Sequence, residues 1–105
     1  MNQQNTKPSC VRYAASILGD KWTPVLLREL CEGARTFSEL STASGGISPR
    51  TLSQRLHFLL EEDIISRDCN IDDKRSNYYC LTVKGLELQE ILDKMAEWSS
   101  RNNAC

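Results

Sequence analysis

Residues Gly45 to Asp63, GGISPRTLSQRLHFLLEED, constrain the fold more than any other stretch of the chain. Ser48 followed by Pro49 is a helix start. The serine hydroxyl can accept an orphan backbone N–H, and a proline at the first helical position gives up a donor that has no partner anyway. From there Leu52, Leu56, Leu59 and Leu60 recur at helical spacing and define a buried stripe. At ~100° per residue, Arg50, Gln54, His57 and Glu61 point away from that stripe, with Thr51 and Arg55 on its flanks. Acid is absent until Glu61, Glu62 and Asp63, at the end where the helix dipole disfavours it. Basic groups near a helix N-terminus and acid at its C-terminus each cost roughly a few tenths of a kcal/mol, so helix stability does not account for them. Arg50, Thr51, Ser53, Gln54 and Arg55 instead offer the donors and small polar groups that reach phosphates and base edges, where acid would face phosphate.

The flanking pattern gives this helix a setting. Ser9 is placed to cap a helix carrying Val11, Ala14, Ala15 and Leu18, which Gly19 ends. Thr23-Pro24 opens a second helix with Leu26, Leu27, Leu30 and Cys31 inward, ending at Gly33. Ser38 with Glu39 opens a short helix containing Leu40 and Ala43, and Gly45-Gly46 breaks it. The helices at 38–44 and 48–62 thus form a helix-turn-helix, with Ser38 at the start of its first member. Beyond it the period changes from 3.6 to 2. Residues 64–67 and 78–81 read as strands, joined by a polar loop longer than the ~2–5 residues of an ordinary hairpin. That loop holds Asp72-Asp73-Lys74-Arg75.

Thr82 caps a last helix at about residues 83–98, with Leu88, Ile91, Leu92, Met95 and Trp98 in one stripe. An apolar face with no chain left to cover it marks an interface. Val11, Ala14 and Leu18 of the first helix can join that stripe. The expected fold is therefore mainly α with a small β-hairpin, a winged helix-turn-helix that dimerises through its terminal helices and fills residues 1–105 as a single domain. Two-fold symmetry would set the recognition helices ~34 Å apart on a near-palindromic operator.

Charge is unevenly distributed: residues 1–58 carry a balance of +3 and residues 59–105 a balance of −4. No apolar run approaches the ~18 residues of a membrane span, and the polar MNQQNTK start is no signal peptide, so a cytoplasmic protein with no membrane partner is expected. Five cysteines without a CxxC pair, beside a single histidine, fit neither a disulfide framework nor a metal site. Reduced thiols are expected, with Cys31 and Cys80 in packing and Cys10, Cys69 and Cys105 in exposed settings. Cys10, near a helix start whose dipole favours thiolate, is the candidate redox or electrophile sensor. Without a Gly-rich phosphate loop, or paired carboxylates opposite a nucleophile, neither an enzyme nor a cofactor is expected.

The segments GDKWTPVLLREL (19–30), RTFSEL (35–40), GISPRTLSQRLHFLLEEDII (46–65) and YYCLTVKG (78–85) resemble the HxlR-type winged-helix regulators, relatives of the MarR group. The resemblance covers about residues 9–98. It implies a homodimeric prokaryotic transcription factor that binds double-stranded DNA, and it names no small-molecule effector. The family's N-terminal cysteine falls on Ser9, one residue from Cys10, and the prolines common in the family's wing are missing. The wing is instead similar to the MarR pattern, an Asp-x-Arg (Asp73, Arg75) ahead of Leu81-Thr82. This implies that Arg75 enters the minor groove beside Lys74 while Asp73 holds its guanidinium, in keeping with the pull of a narrow minor groove on arginine. A winged-helix protein-interaction module without DNA binding is the alternative that the acidic second half supports.

Overall fold

A computed structural model of the chain describes residues 8–70, 72 and 77–103. Asp73, Lys74 and Arg75, expected at the wing tip, and Cys105 lie outside the described residues.

A 3-10 turn at Pro8–Cys10 leads straight into α1 (Val11–Leu18), with no side-chain cap from Ser9. The residue that α1 buries is Ile17. Val11 and Ala15 are exposed and Ala14 and Leu18 half-buried, so the inward side is rotated from the expected stripe. Helix α2 (Thr23–Cys31) begins at Thr23-Pro24 and buries Leu26, Leu27 and Leu30. Cys31 is half-buried in packing, and burial pushes its thiol pKa up.

A two-residue strand that the sequence did not suggest, β1 (Arg35–Thr36), precedes α3 (Phe37–Ser44). The cap of α3 is Thr36 rather than a residue at Ser38. The Glu39 N–H donates to Thr36 Oγ1 at 3.2 Å, and the Thr36 N–H donates to Glu39 Oε1 at 2.9 Å. This reciprocal capping box satisfies two orphan donors at once. At the turn, Gly45 (φ 67°) and Gly46 (φ 133°) take conformations that side chains disfavour, and the buried Ile47 anchors the turn to the core.

Helix α4 (Pro49–Glu61) starts from Ser48, whose Oγ accepts the Thr51 N–H at 3.1 Å. Leu52, Leu56 and Leu59 are buried and Leu60 half-buried. Asp63 (φ 61°) ends the helix in the left-handed position usually filled by glycine or asparagine. The Asp63 N–H bonds Leu60 O at 3.1 Å and the Ile64 N–H bonds Leu59 O at 2.9 Å, a Schellman closure. The acid at this end has tertiary partners too. The Tyr13 hydroxyl donates to Glu62 Oε1 at 2.9 Å, and Lys84 Nζ lies 2.8 Å from both the Tyr13 hydroxyl and the Glu62 carbonyl.

Strands β2 (Ile65–Ser66) and β3 (Tyr78–Leu81) pair antiparallel, Ile65 opposite Leu81 and Ser66 opposite Cys80. β1 takes the other edge of β3, giving the order β1-β3-β2. The expected last helix is two helices, α5 (Val83–Leu86) and α6 (Gln89–Asn102). At the break the Leu88 N–H bonds Gly85 O, an i→i−3 tightening, before the Leu92 N–H restarts α-helical bonding to Leu88 O. Leu92, expected at a dimer interface, is 3% exposed and belongs to the core of its own domain. Leu88 packs half-buried against that core. An Arg28–Asp93 ion pair ties α2 to α6. The core itself is the meeting of Ile17, the α2 leucines, Leu40, the α4 stripe, Ile64, Ile65, Tyr79 and Leu92.

Cys69 and Cys80 are joined in a disulfide, with Cα atoms 5.8 Å apart, which corrects the expectation of reduced thiols there. Cys10 is free and exposed.

Candidate nucleic-acid interface

Helix α4 is held by its leucines and by one arginine. Arg55, expected to face DNA, turns inward: Nε donates to Thr23 Oγ1 at 3.0 Å, and Nη2 sits 3.1 Å from Asp20 Oδ2. That Nη2 is buried and pairs with the carboxylate by charge rather than by an aligned hydrogen bond. The guanidinium also lies 4.5 Å from the centre of the Phe58 ring. Arg55 is a brace between α4 and α2, and this corrects its place among the DNA-facing residues. The helical wheel had put it on a flank; the acceptor that decides its direction comes from 35 residues earlier in the chain.

Asp20 is the other half of the brace and was not singled out from the sequence. Its Oδ1 accepts the N–H groups of Trp22 and Thr23, each at 2.8 Å, and its Oδ2 accepts the fully buried Thr23 hydroxyl at 2.6 Å. Burial pushes this carboxyl pKa up. The three hydrogen bonds from Thr23 and Trp22, with the Arg55 charge, outweigh that and hold it below the usual carboxylate value. An aspartate three residues before Thr23-Pro24 is itself a helix-start signal, and it could have been read from the sequence.

With Arg55 withdrawn, the outer surface of α4 presents Arg50, Ser53, Gln54 and His57, all exposed. Thr51 is half-buried, with its Oγ1 2.9 Å from Ser48 Oγ. Ser38 is exposed near the start of α3, and Ser48 is exposed at the mouth of the turn. Among the described residues, Arg50 and Gln54 have no side-chain hydrogen-bond partner. His57 Nε2 lies 3.3 Å from Glu61 Oε2, within the helix. Arg50, Ser53 and Gln54 are thus exposed on α4, whose first acid is Glu61 at its last position, while Ser38 on α3 stands beside the exposed Glu39.

Residues 17–104 match the HxlR-like helix-turn-helix family. The chain belongs to that family. Its relatives include the uncharacterized HTH-type transcriptional regulator YvaP of Bacillus subtilis, 33% identical over 98 residues, which are 91% of each chain. Among solved structures, the reduced form of the transcriptional regulator YodB from B. subtilis aligns with a TM-score of 0.76 at 27% identity, over 93% of this chain and 95% of that one. The reduced form of the redox regulator HypR aligns with a TM-score of 0.80 at 27% identity, over 90% and 93%. The HxlR-type chain is a transcriptional regulator, mainly helical with a small antiparallel sheet, in the MarR-like winged-helix class. None of its described helices is long and apolar enough to cross a membrane.

Proposed function

We propose that this HxlR-type regulator acts in the cytoplasm as a homodimer, binding a near-palindromic site on double-stranded DNA through α4, and that it answers to redox or electrophile stress. The observation that carries DNA binding is the surface of α4. Arg50, Ser53 and Gln54 stand exposed there, the first two turns hold no acid, and among the described residues Arg50 and Gln54 have no side-chain bond to give up on meeting a groove. Ser38, Ser48 and Thr51 sit where backbone phosphates would pass. Lys74 and Arg75 add minor-groove contacts, with Asp73 as the support of Arg75.

Dimerisation is supported by the apolar side chains that the chain ends leave uncovered. Val11 is 68% exposed on α1, and Ile91, Met95 and Trp98 are 42%, 42% and 60% exposed on α6. Ala14 of α1, half-buried, lines one cavity with Ile91 of α6, and the half-buried Leu18 lies one turn further along α1. The redox reading follows the structural relatives, a reduced form of YodB and a redox regulator HypR, and the free, exposed Cys10 is a candidate sensor. Titration with mixed-sequence duplex at several salt concentrations tests the DNA reading. Log affinity should fall linearly with log salt, with slope about −0.9 per phosphate contacted. Failure to bind duplex at low salt would leave the protein-interaction reading in its place.

A further inference from the structure

The Cys69–Cys80 disulfide stands at the root of the wing and changes what the hairpin can be. The β2–β3 register, Ile65 opposite Leu81 and Ser66 opposite Cys80, extends naturally to Arg67 opposite Tyr79, Asp68 opposite Tyr78 and Cys69 opposite Asn77. The Thr82 N–H donates to Ile64 O at 3.1 Å, so the 64–82 pair is a hydrogen-bonded one. Hydrogen-bonded pairs alternate in an antiparallel ladder, so 66–80 and 68–78 are the next two. In the structure the ladder stops at Ser66. The Asp68 N–H is turned to Ser66 Oγ at 2.9 Å, and Tyr78 O faces Cys69 Sγ at 3.5 Å. The Asp68 N–H that would close the 68–78 pair is thus diverted, the Tyr78 carbonyl meets only a disulfide sulfur that carries no proton, and Asn70 takes a left-handed φ of 53°.

The long ladder and the disulfide exclude each other. In the extended register Cys69 would lie three residues beyond Ser66, the partner of Cys80. That is ~10 Å along the strand, and on the opposite face of the sheet, since side chains alternate. A disulfide needs Cα atoms within ~7 Å and side chains that point together. The observed 5.8 Å is reached only because residues 67–69 fold back.

We propose that Cys69 and Cys80 form a peroxide-oxidised dithiol site that selects between a short and a long wing hairpin. This rests on the DNA-binding reading only for its output. One thiolate attacks a hydroperoxide oxygen, the O–O bond breaks, and a sulfenic acid and one water (or alcohol) result. The second thiol attacks the sulfenic sulfur, the S–S bond forms, and a second water leaves. Two thiols lose two electrons and two protons to the peroxide, and a dithiol reductant reverses the step. Cytosolic disulfides are usually transient and redox-sensing, which fits a crosslink in a chain placed in the cytoplasm. Lys74 and Arg75 lie between the two cysteines in sequence, so a change in how far β2 and β3 pair moves the described residues on either side of that segment, and this is the route by which the pair reaches DNA binding.

The test is residue-resolved amide exchange on the full chain, reduced with dithiothreitol or oxidised with hydrogen peroxide. Reduction should slow exchange of the Asp68 and Tyr78 amides about tenfold or more, as the 68–78 pair closes. The double variant C69S/C80S should show the slow pattern with or without peroxide. Equal exchange in both states, or peroxide-treated protein with both thiols still free, overturns the proposal. A parallel titration with duplex DNA should find the oxidised form about tenfold weaker, with the double variant insensitive. Equal DNA affinity alongside altered exchange would overturn the coupling to DNA. Absence of DNA binding in both states would instead overturn the DNA reading, while the exchange data still decide the switch.

Discussion

Replacing Asp20 by alanine should destabilise the domain by about 3 kcal/mol. The carboxylate accepts the Trp22 and Thr23 N–H groups just ahead of α2, and a side-chain acceptor for such orphan donors at a helix start is worth ~1 kcal/mol. Its loss also strands the Arg55 guanidinium, whose Nη2 is buried beside Oδ2, and the stranding of a hydrogen-bonded charge costs roughly 2 kcal/mol. For a domain near this size, ~4–8 °C of Tm per kcal/mol gives a drop of about 15 °C. Asp20→Asn keeps an acceptor for the backbone but not the charge, and should lose about half as much. The pH dependence has a fixed sign. The carboxyl is lowered in the folded state, so its contribution is complete above the ordinary value of 3.8 and is lost as pH falls through the folded value. The gap between wild type and Asp20→Asn should therefore be constant from neutral pH to about pH 5 and close below pH 4. Thermal melts followed by circular dichroism measure all of this. A Tm drop under ~3 °C for Asp20→Ala, or a gap that widens in acid, would refute the brace.

The same reasoning separates Arg55 from a DNA contact. Arg55→Ala should lower Tm but leave the salt slope of DNA binding unchanged at temperatures where it is folded, whereas loss of a phosphate contact reduces that slope by about 1. Gly85→Ala should cost roughly 2 kcal/mol or more by chemical denaturation, because a Cβ there would lie 2.1 Å from Ile64 O, a backbone atom with little freedom to move. The double variant I91E/M95E should sediment as an 11.9 kDa monomer rather than a dimer, with DNA affinity lost although no DNA-facing residue is changed. Arg75→Ala should weaken binding to sites with AT-rich flanks more than to sites with GC-rich ones, measured by anisotropy on matched duplexes.

What could be read in the sequence follows the range of the forces involved. The helix-turn-helix was legible because its signals are local: Ser48-Pro49, the leucine spacing, and two glycines at positive φ. The hairpin strands were legible from the change of period. Strand β1 was not, since two residues carry no periodicity and pair only because β3 offers a free edge. The break at Leu88 was hidden because an i→i−3 turn keeps Leu88, Ile91 and Leu92 at plausible helical spacing, so the burial of Leu92 could not be told from that of its exposed neighbour Ile91. Arg55 was misplaced because Asp20, distant in sequence, supplies a stronger partner than solvent. The disulfide was missed because Cys69 and Cys80 are out of step by three residues in the observed β2–β3 register, and only the fold-back brings them together.

The central claim is that the outer surface of α4 reads base edges. Its most direct measurement is the ratio of affinities for an operator, selected from genomic fragments, and for a scrambled duplex, compared among wild type, Arg50→Ala and Gln54→Ala. Each substitution should cost ~1–3 kcal/mol of that discrimination, about a fivefold to hundredfold fall in the ratio, while Tm stays near that of wild type. Ratios unchanged in both variants would show that α4 does not read the DNA.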